Sequence, residues 1–358
     1  MSVLRKQLDI SKNPRGRNVK TFVHNLKVEL HLHLDGAVRI STICEMARRK
    51  GIKIGRSSSY EEIKELFQAK KQAGDIDAIE RCAYELCEDQ AKEGCCYFET
   101  RYAPHLWTSN NLDLTKSQFS FTQCLTPDRV VEAVNAGLRK GERDFQVKAR
   151  QILCCLSFKP EISDDILRLC KKYANDGVVG IDCAAGEPDN HIFNTQIVQA
   201  FKGAKDSNIH RTCHAGEVPN SSKNVAFAVD NMFAERIGHG YHILDDKDIY
   251  KKYKDRVHFE VCPYSSYFTG GVVSNANNGK HAIVIFAEDN VSFSINKDDP
   301  TIIQTTLDDE YKYVTGLGLN EVHFIRSNLN AAKASFLPEA EKLQLIEQLT
   351  SIYGLNDL

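Results

Sequence analysis

Two histidines, His31 and His33, stand one residue apart in the apolar segment ELHLHLDG at residues 29–36. Residues two apart on a strand point to the same side, so both imidazoles face one way. Buried imidazole nitrogens need partners, and a divalent metal satisfies both. His214 and Asp298 are expected to complete a set of nitrogen and oxygen ligands typical of zinc, with room left for a water molecule.

Two more ionisable residues accompany the predicted ligands. His239 lies between two glycines in RIGHGYH and is expected to act as a base or to support the metal-bound water, whose pKa zinc lowers to about 7. Glu217 follows His214 by three residues, and in a closed site it can stay protonated and donate to a substrate. The segment IDCAAGE offers no lysine that could bridge two metals, so one zinc ion is expected.

The elements that must position these residues are short apolar segments that alternate with amphipathic ones. The predicted strands are residues 26–32, 95–101, 148–155, 178–183, 210–214, 235–238, 257–262 and 291–295. Predicted helices lie between them, such as the one that Thr126 caps, and three more close the chain near 301–316, 319–334 and 338–353.

This pattern predicts an α/β fold, a (β/α)8 TIM barrel with additional C-terminal helices. An open doubly wound sheet is the alternative, although no G-x-G-x-x-G motif follows the first strand. Barrels of this kind carry their chemistry at the C-terminal ends of the strands, where the histidines and acids described above are predicted to lie.

Composition and net charge limit the classes of partner that the protein is expected to bind. The chain has 358 residues and a formal charge of −2, so no basic field indicates a nucleic-acid partner, and a small molecule is expected instead. Twelve cysteines lie mostly within apolar runs, which favours reduced thiols in a cytoplasmic protein. No apolar run approaches the roughly 18 residues of a membrane span.

The first residues, 1–25, are expected to be a flexible extension, with residues 26–358 forming a single catalytic barrel domain. Their basic bias leaves a transit peptide open as an alternative.

Seven motifs resemble those of the adenosine deaminase family of the amidohydrolase superfamily, over nearly the whole chain from about Lys27 to Gly354. They are KVELHLHLDG, AKEGCCYFETRYAPH, ERDFQVKARQILCC, HRTCHAGE, ERIGHGYH, FEVCPYSSYFTG and SINKDDP. The resemblance implies a zinc-dependent hydrolysis of adenosine and 2′-deoxyadenosine to inosine and 2′-deoxyinosine, with release of ammonia, in purine salvage. It also implies a monomer, with a docking protein at the cell surface left open.

Residue roles follow from the same resemblance. The implied zinc ligands are His31, His33, His214 and Asp298, and His33 also faces the substrate. Glu217 would protonate purine N1, and His239 would orient and deprotonate the water that attacks C6. Asp299 would hydrogen-bond N7 and help to hold the attacking oxygen, and Asp35 would bind the ribose 5′-hydroxyl.

Three departures from the family pattern stand out. The glycine expected near purine N3 is displaced by one position, so Ala185 or Gly186 would fill that role. Lys297 precedes Asp298 where the family more often has a small hydroxyl residue; pointing inward, it would put one cation beside another. The segment between Gly51 and Glu93 is several helical turns shorter than in the family, and it retains Ile63, Leu66 and Phe67 as the apolar stripe of a lid or of a helix on the barrel's flank.

Two alternatives remain at this stage. An aminohydrolase for a modified or phosphorylated purine would need basic residues near Asp35, and only Arg39 is present there. A low-activity or inactive protein of this fold could bind nucleosides or dock to another protein, because the lid segment is shortened. A cytidine-type deaminase is disfavoured because its H-x-E and P-C-x-x-C motifs are missing.

Overall fold

A computed structural model describes residues 26–49, 76–108, 125–272 and 279–355. Eight strands form one parallel sheet in which each strand lies beside the next in the chain. They are β1 Lys27–His33, β2 Cys95–Tyr102, β3 Lys148–Leu156, β4 Val178–Ala184, β5 His210–Ala215, β6 Arg236–His239, β7 His258–Val261 and β8 Phe293–Ile295. The sequential order, with β1 and β8 bridged at Leu32 and Asp298, confirms the predicted barrel, and the doubly wound alternative is wrong.

Helices surround the barrel and close the described chain. They are α1 Ile40–Arg49, α2 Ile76–Lys92, α3 Pro127–Phe145, α4 Ser163–Lys172, α5 Thr195–Asp206, α6 Ser222–Asn231, α7 Lys247–Tyr253, α8 Pro263–Phe268, α9 Ala282–Glu288, α10 Pro300–Ile303, α11 Leu307–Gly316, α12 Glu321–Ala334 and α13 Glu339–Ile352. Thr126 caps α3 as predicted, since its hydroxyl accepts from the Arg129 backbone N–H, and the left-handed Gln146 ends that helix.

The strands are buried on both faces, as in other parallel barrels. On β1, Val28, Leu30 and Leu32 alternate with Glu29 and His31, and all of them are buried. The pairing of β1 with β2 shifts its register between Glu29 and Leu32, so the side chains before and after the shift do not follow one strict alternation. Glu29 contacts Gln90 of α2, whereas His31 lies in the site described below.

The predicted helix at 301–316 is two helices. Gln304 adopts a left-handed conformation (φ 57°) that ends α10. Thr306 and Asp309 then form a capping box that starts α11. Helices α1 and α8 were not predicted.

Two predictions fall outside the described residues. The flexible extension at 1–25 is one of them, and the part of the shortened segment that carries Ile63, Leu66 and Phe67 is the other. The remainder of that segment forms α2. The assignment of 26–358 to a single domain stays a prediction. Among the described helices, none combines the length and apolarity needed to cross a bilayer.

Candidate active site

Four imidazoles meet at the C-terminal ends of the strands. His31 and His33 come from β1, His214 from β5 and His239 from β6. The ring centroid of His31 lies 5.4 Å from that of His33, 4.6 Å from that of His214 and 5.0 Å from that of His239. Asp298, just after β8, faces the same point, so the barrel brings together all four predicted ligands.

Short distances join the atoms that would bind a metal. His33 Nε2 lies 3.1 Å from His214 Nε2 and 3.3 Å from Asp298 Oδ1. His31 Nε2 lies 3.2 Å from the same Asp298 oxygen, yet it is buried without a hydrogen bond. A buried ring nitrogen without a hydrogen bond, facing a carboxylate and other imidazoles, fits a metal cation well, because a cation satisfies all of these lone pairs at once.

The protonation states suit the same purpose. Burial lowers the pKa of His33 well below its usual value, so the ring is neutral. Burial alone would raise the pKa of Asp298, but the neighbouring imidazoles of His31 and His239 hold it well below its usual range. Neutral imidazoles and an ionised carboxylate are the forms that bind a metal.

Carboxylates orient two of the imidazoles from behind. His31 Nδ1 lies 2.8 Å from Glu260 Oε2, and His214 Nδ1 lies 3.0 Å from Asp182 Oδ2. With Nδ1 donating its proton to a carboxylate, Nε2 keeps its lone pair and points at the site. Gly238 permits this arrangement, since a Cβ there would lie 2.8 Å from His31 Cε1.

A buried network of charges holds those carboxylates. The Arg101 guanidinium donates to Asp182 Oδ2 (3.0 Å) and to Glu260 Oε2 (2.7 Å), and Arg236 Nε lies 2.6 Å from Glu260 Oε1. Burial alone would raise the pKa of Glu260, but the two arginines hold it well below its usual range. Both carboxylates therefore remain ionised and can accept the imidazole protons.

His239 has a different partner. Its Nδ1 lies 3.2 Å from the Ser266 hydroxyl, which can donate or accept, so neither tautomer is imposed. Its Nε2 lies 3.8 Å from Glu217 Oε1 and 3.8 Å from Asp298 Oδ2. This ring can carry a proton between the nearby groups.

The geometry offers more than four candidate ligands. Ligand atoms within 4.8 Å of one another belong to His31, His214, His239 and Asp298. His33 is nevertheless as close to His214 and Asp298 as a ligand needs to be. His239 is backed by a hydroxyl, whereas His31 and His214 are backed by carboxylates, so the surroundings of His239 differ from those of these two rings.

Glu187 positions the loop that carries Glu217. Its carboxylate accepts from the backbone N–H groups of Gly216 (2.8 Å), Glu217 (2.6 Å) and Val218 (3.3 Å). Asn224 Nδ2 also donates to it, at 2.7 Å. These bonds fix the backbone of Glu217, while its carboxyl lies beside His239.

A cavity of 460 Å³ opens above this cluster. Its described lining includes the predicted substrate contacts His33, Asp35, Ala185, Gly186 and Asp299, together with Glu217, His239 and apolar groups such as Leu106, Trp107 and Phe158. Among the described lining residues there is no lysine or arginine. The described floor therefore carries carboxylates and imidazoles that fit a metal ion, while much of the described wall is apolar.

Individual lining residues have distinctive surroundings. Burial and the carboxylates of Asp298, Asp35 and Glu217 raise the pKa of Asp299 well above its usual value, so it can donate a proton in a hydrogen bond. Asp299 packs against Gly36, where a Cβ would overlap its carboxylate.

Ala185 (φ 67°) and Gly186 (φ 103°), directly after β4, both have positive φ angles and both line the cavity.

Sequence reasoning missed the residues that support the site from behind. These are Arg101, Asp182, Glu187, Glu260, Ser265 and Ser266. All of them lie in or beside the motifs quoted above, and Ser265 donates to Asp298 Oδ2 at 2.8 Å. Their position next to strand ends was a usable signal, but their partners come from other strands.

The sequence of the chain is similar to those of known proteins. The family model described as adenosine deaminase matches residues 26–352. The adenosine deaminase of Danio rerio is 43% identical over 349 residues, which cover 92% of this chain and 96% of that protein.

Two solved structures are similar as well. An amidohydrolase from Burkholderia ambifaria with bound zinc has a TM-score of 0.78 at 23% identity, covering 96% of each chain, and shows the fold alone. An Arabidopsis N6-mAMP deaminase has a TM-score of 0.76 at 27% identity, covering 93% of this chain and 99% of that one.

Proposed function

The chain belongs to the adenosine deaminase family, and from this premise we infer that it hydrolytically deaminates adenosine and 2′-deoxyadenosine to inosine and 2′-deoxyinosine, releasing ammonia. One observation carries the inference to this chain: a metal-ligand set, His239 and Glu217 converge on the floor of one cavity. Similarity to the family supplies the purine, and the cluster supplies groups able to perform the chemistry.

The cofactor that we propose is one zinc ion. His31, His33, His214 and Asp298 would hold it, because imidazole nitrogens and a carboxylate oxygen are donors that zinc binds in proteins. When bound, zinc lowers the pKa of a water molecule from about 16 to about 7, which makes a nucleophile available at neutral pH.

The protein's own groups then move the protons. His239 Nε2 orients the attacking water and accepts its proton as the oxygen adds to purine C6. Glu217 donates a proton to N1, so that negative charge does not accumulate on the ring. Ammonia leaves once the amino group has been protonated, a step for which His239 is positioned. The 3.8 Å separation of His239 Nε2 and Glu217 Oε1 supports two groups acting on adjacent ring atoms.

Substrate contacts follow from the cavity lining. Asp299, with its raised pKa, donates to purine N7 and helps to hold the attacking oxygen. The backbone at Ala185 or Gly186 faces N3, and Asp35 accepts from the ribose 5′-hydroxyl. His33 borders the cavity beside the ring.

A nucleoside suits this cavity better than a nucleotide. The basic residue that a phosphate would need, Arg39, is paired with Asp89 (2.9 Å) and Glu88 (2.6 Å) and does not line the cavity. Asp35 would repel a phosphate at the 5′ position. The phosphorylated substrate named for the Arabidopsis neighbour therefore suits this cavity less well than a nucleoside does.

Loss of turnover is also disfavoured. The acid, the base and the ligand set are all present and within reach of one another, and a nucleoside-binding protein without activity would not need them together. We further propose that the protein is a cytoplasmic monomer that can also bind a docking partner at the cell surface.

The test follows the ultraviolet change that accompanies conversion of adenosine to inosine. We expect the purified protein to produce it with adenosine and 2′-deoxyadenosine, to lose it on treatment with a chelator and to regain it with one equivalent of zinc. Adenosine monophosphate should react much more slowly. Zinc-loaded protein that leaves adenosine unchanged, or that acts only on the nucleotide, would contradict the proposal.

A further inference from the structure

Strands β1 and β8 close the barrel at the place where the metal ligands face one another. In the described part of the chain, the only backbone bridge at this closure joins Leu32 of β1 to Asp298, three residues after the end of β8. Asp298 N–H donates to His31 O (3.2 Å), and His33 N–H donates to Asp298 O (2.9 Å). We call residues 29–33 and 296–298 the β1–β8 seam.

Side chains replace the missing ladder in the rest of the seam. Asn296 Oδ1 accepts from the backbone N–H of Leu30 (2.8 Å) and of His31 (3.2 Å). Glu29 Oε1 accepts from the backbone N–H of Lys297 (2.7 Å). The register between β1 and the chain after β8 therefore depends on these side chains.

Lys297 points away from the metal ligands. Its Nζ lies 2.8 Å from Glu93 Oε2 and 3.6 Å from Glu29 Oε2, and its side chain is only 2% exposed. Gln90 Nε2 donates to the same Glu29 oxygen, Oε2, at 2.5 Å. The Lys297 ammonium thus pairs with Glu93 and Glu29, while the carboxylate of the adjacent Asp298 faces the imidazoles of His31 and His33.

The charges of this cluster depend on one another. The Lys297 ammonium lies beside the carboxylates of both Glu29 and Glu93, and the side chains of Lys297 and Glu29 are buried. Without the ammonium, these two carboxylates would be left in a desolvated place without a counter-charge.

Asp298 needs this support because its backbone is strained. It is left-handed (φ 67°), a conformation that a residue with a Cβ keeps only where its surroundings enforce it. The residue that precedes it is fixed through both its backbone and its ammonium group. Lys297 is held by Glu29, which lies two residues before His31, and by Glu93. The Glu93 carboxylate also accepts from the backbone N–H of Leu307 (2.7 Å).

We propose that Lys297 is a positioning residue for the metal site: by pairing with Glu29 and Glu93 it fixes the β1–β8 seam, and with it the Asp298 carboxylate against the imidazoles of His31 and His33. The inference rests on the proposed function, because it takes these groups as metal ligands. Lys297 itself touches neither metal nor substrate.

The test measures zinc release from the full-length protein into a chromogenic chelator. Lys297→Met keeps the length of the side chain and removes its charge, and we expect release about 10- to 100-fold faster, the size seen when groups behind metal ligands are altered. Lys297→Arg keeps the charge and should stay near the wild-type rate. Melting temperatures of the zinc-loaded and metal-free forms should converge in Lys297→Met.

Lys27→Met is the matched control. Lys27 is also fully buried and is paired with Asp308 at 2.5 Å; it contacts Glu93 through the backbone carbonyl (2.7 Å) and not through the carboxylate that holds Lys297, and it lies at the start of β1. We expect Lys27→Met to lower the melting temperatures of both the zinc-loaded and the metal-free forms. Zinc release should stay within about twofold of wild type, because only a change in a group that orients a metal ligand alters metal binding by more than this.

The outcomes separate the two levels of the argument. If Lys297→Met released zinc at the wild-type rate, or if Lys27→Met accelerated zinc release as much as Lys297→Met, the positioning role would be overturned. The proposed function would remain intact in either case. Wild-type protein that retains no zinc would overturn the proposed function and this inference with it. If Lys297→Met does not fold, Glu93→Gln replaces it, with a smaller acceleration expected and an unchanged rate again overturning the role.

Discussion

At the scale of single residues, the imidazoles of the site differ in what lies behind them. His31 and His214 are backed by the carboxylates of Glu260 and Asp182, whereas His239 is backed by the Ser266 hydroxyl. A carboxylate fixes a ring as a metal ligand, and a hydroxyl leaves it free to change its protonation state. The partners therefore distinguish His239 from His31 and His214.

Replacing His33 and His239 in turn tests this distinction. We expect His33→Ala to lose zinc on dialysis, because a ligand is removed. His239→Ala should retain zinc but lose about 10²- to 10⁴-fold in kcat, because proton transfer is removed. Metal analysis alongside turnover separates the two effects, and retention of zinc by His33→Ala with its loss from His239→Ala would reverse the assignment.

Glu217→Gln should retain zinc and fall about 10²- to 10⁴-fold in kcat, since the amide cannot protonate the purine ring. Substrate binding should change little, because the amide keeps the size and polarity of the side chain. Glu161→Gln, at an exposed position after β3, is the control. A Glu217→Gln enzyme with nearly normal kcat would rule out the acid role.

At the scale of elements, loops and a short helix at the strand ends support the candidate site. The loop after β5 is fixed by Glu187 from the loop after β4, through three backbone N–H groups at residues 216–218. Helix α8 presents Ser265 to Asp298 and Ser266 to His239. Asp298, His239 and the backbone of Glu217 are therefore each held by an element other than their own.

Glu187→Gln tests the placement of the β5 loop. The amide offers one acceptor oxygen and turns an N–H group toward backbone donors, so the loop should shift. We expect kcat/KM to fall about 10²-fold, the cost of a small misplacement, with zinc content unchanged. Asp245→Asn is the matched control, because Asp245 accepts from the Asn220 backbone N–H in the same loop, farther from Glu217. Equal losses in both variants would argue against a specific role for Glu187.

At the scale of the whole molecule, buried histidines link stability to pH. Burial lowers the pKa of His258 to about 3 and that of His281 to about 4, from an ordinary value of 6.5. Between these values the unfolded chain binds protons that the folded protein does not. Their contribution to the free energy of unfolding is therefore complete above about pH 6.5 and is lost as the pH falls toward about 4 and then 3.

His258→Gln should weaken this dependence. The ring lies between the hydroxyls of Ser292 (2.9 Å) and Ser294 (3.0 Å), which an amide can also contact. We expect about one proton fewer to be taken up on unfolding near pH 5, measured as the slope of the free energy of unfolding against pH. Ser292→Ala should lower stability by a similar amount at every pH. An unchanged slope in His258→Gln would show that this histidine does not cause the acid sensitivity.

The sequence by itself determined the alternation of elements, the eight strands and the residues that can do chemistry. It could do so because strand and helix periodicity are local, and because histidines are conspicuous in an apolar strand. The spacing of His31 and His33 fixed their common side, and the family motifs supplied the purine. Helix boundaries are harder to predict. The sequence pattern predicts one helix over 301–316, where the structure has α10 and α11, because the left-handed Gln304 leaves no strong local signal.

Only the tertiary structure decided which partner stands behind each group. The carboxylates of Asp182 and Glu260, the guanidinium of Arg101 and the outward direction of Lys297 depend on side chains brought together by barrel closure. No pattern within one segment encodes such contacts, because each joins strands far apart in the chain. The residue types could be recognised from the sequence, but their protonation states and roles follow from neighbours that only the closed barrel provides.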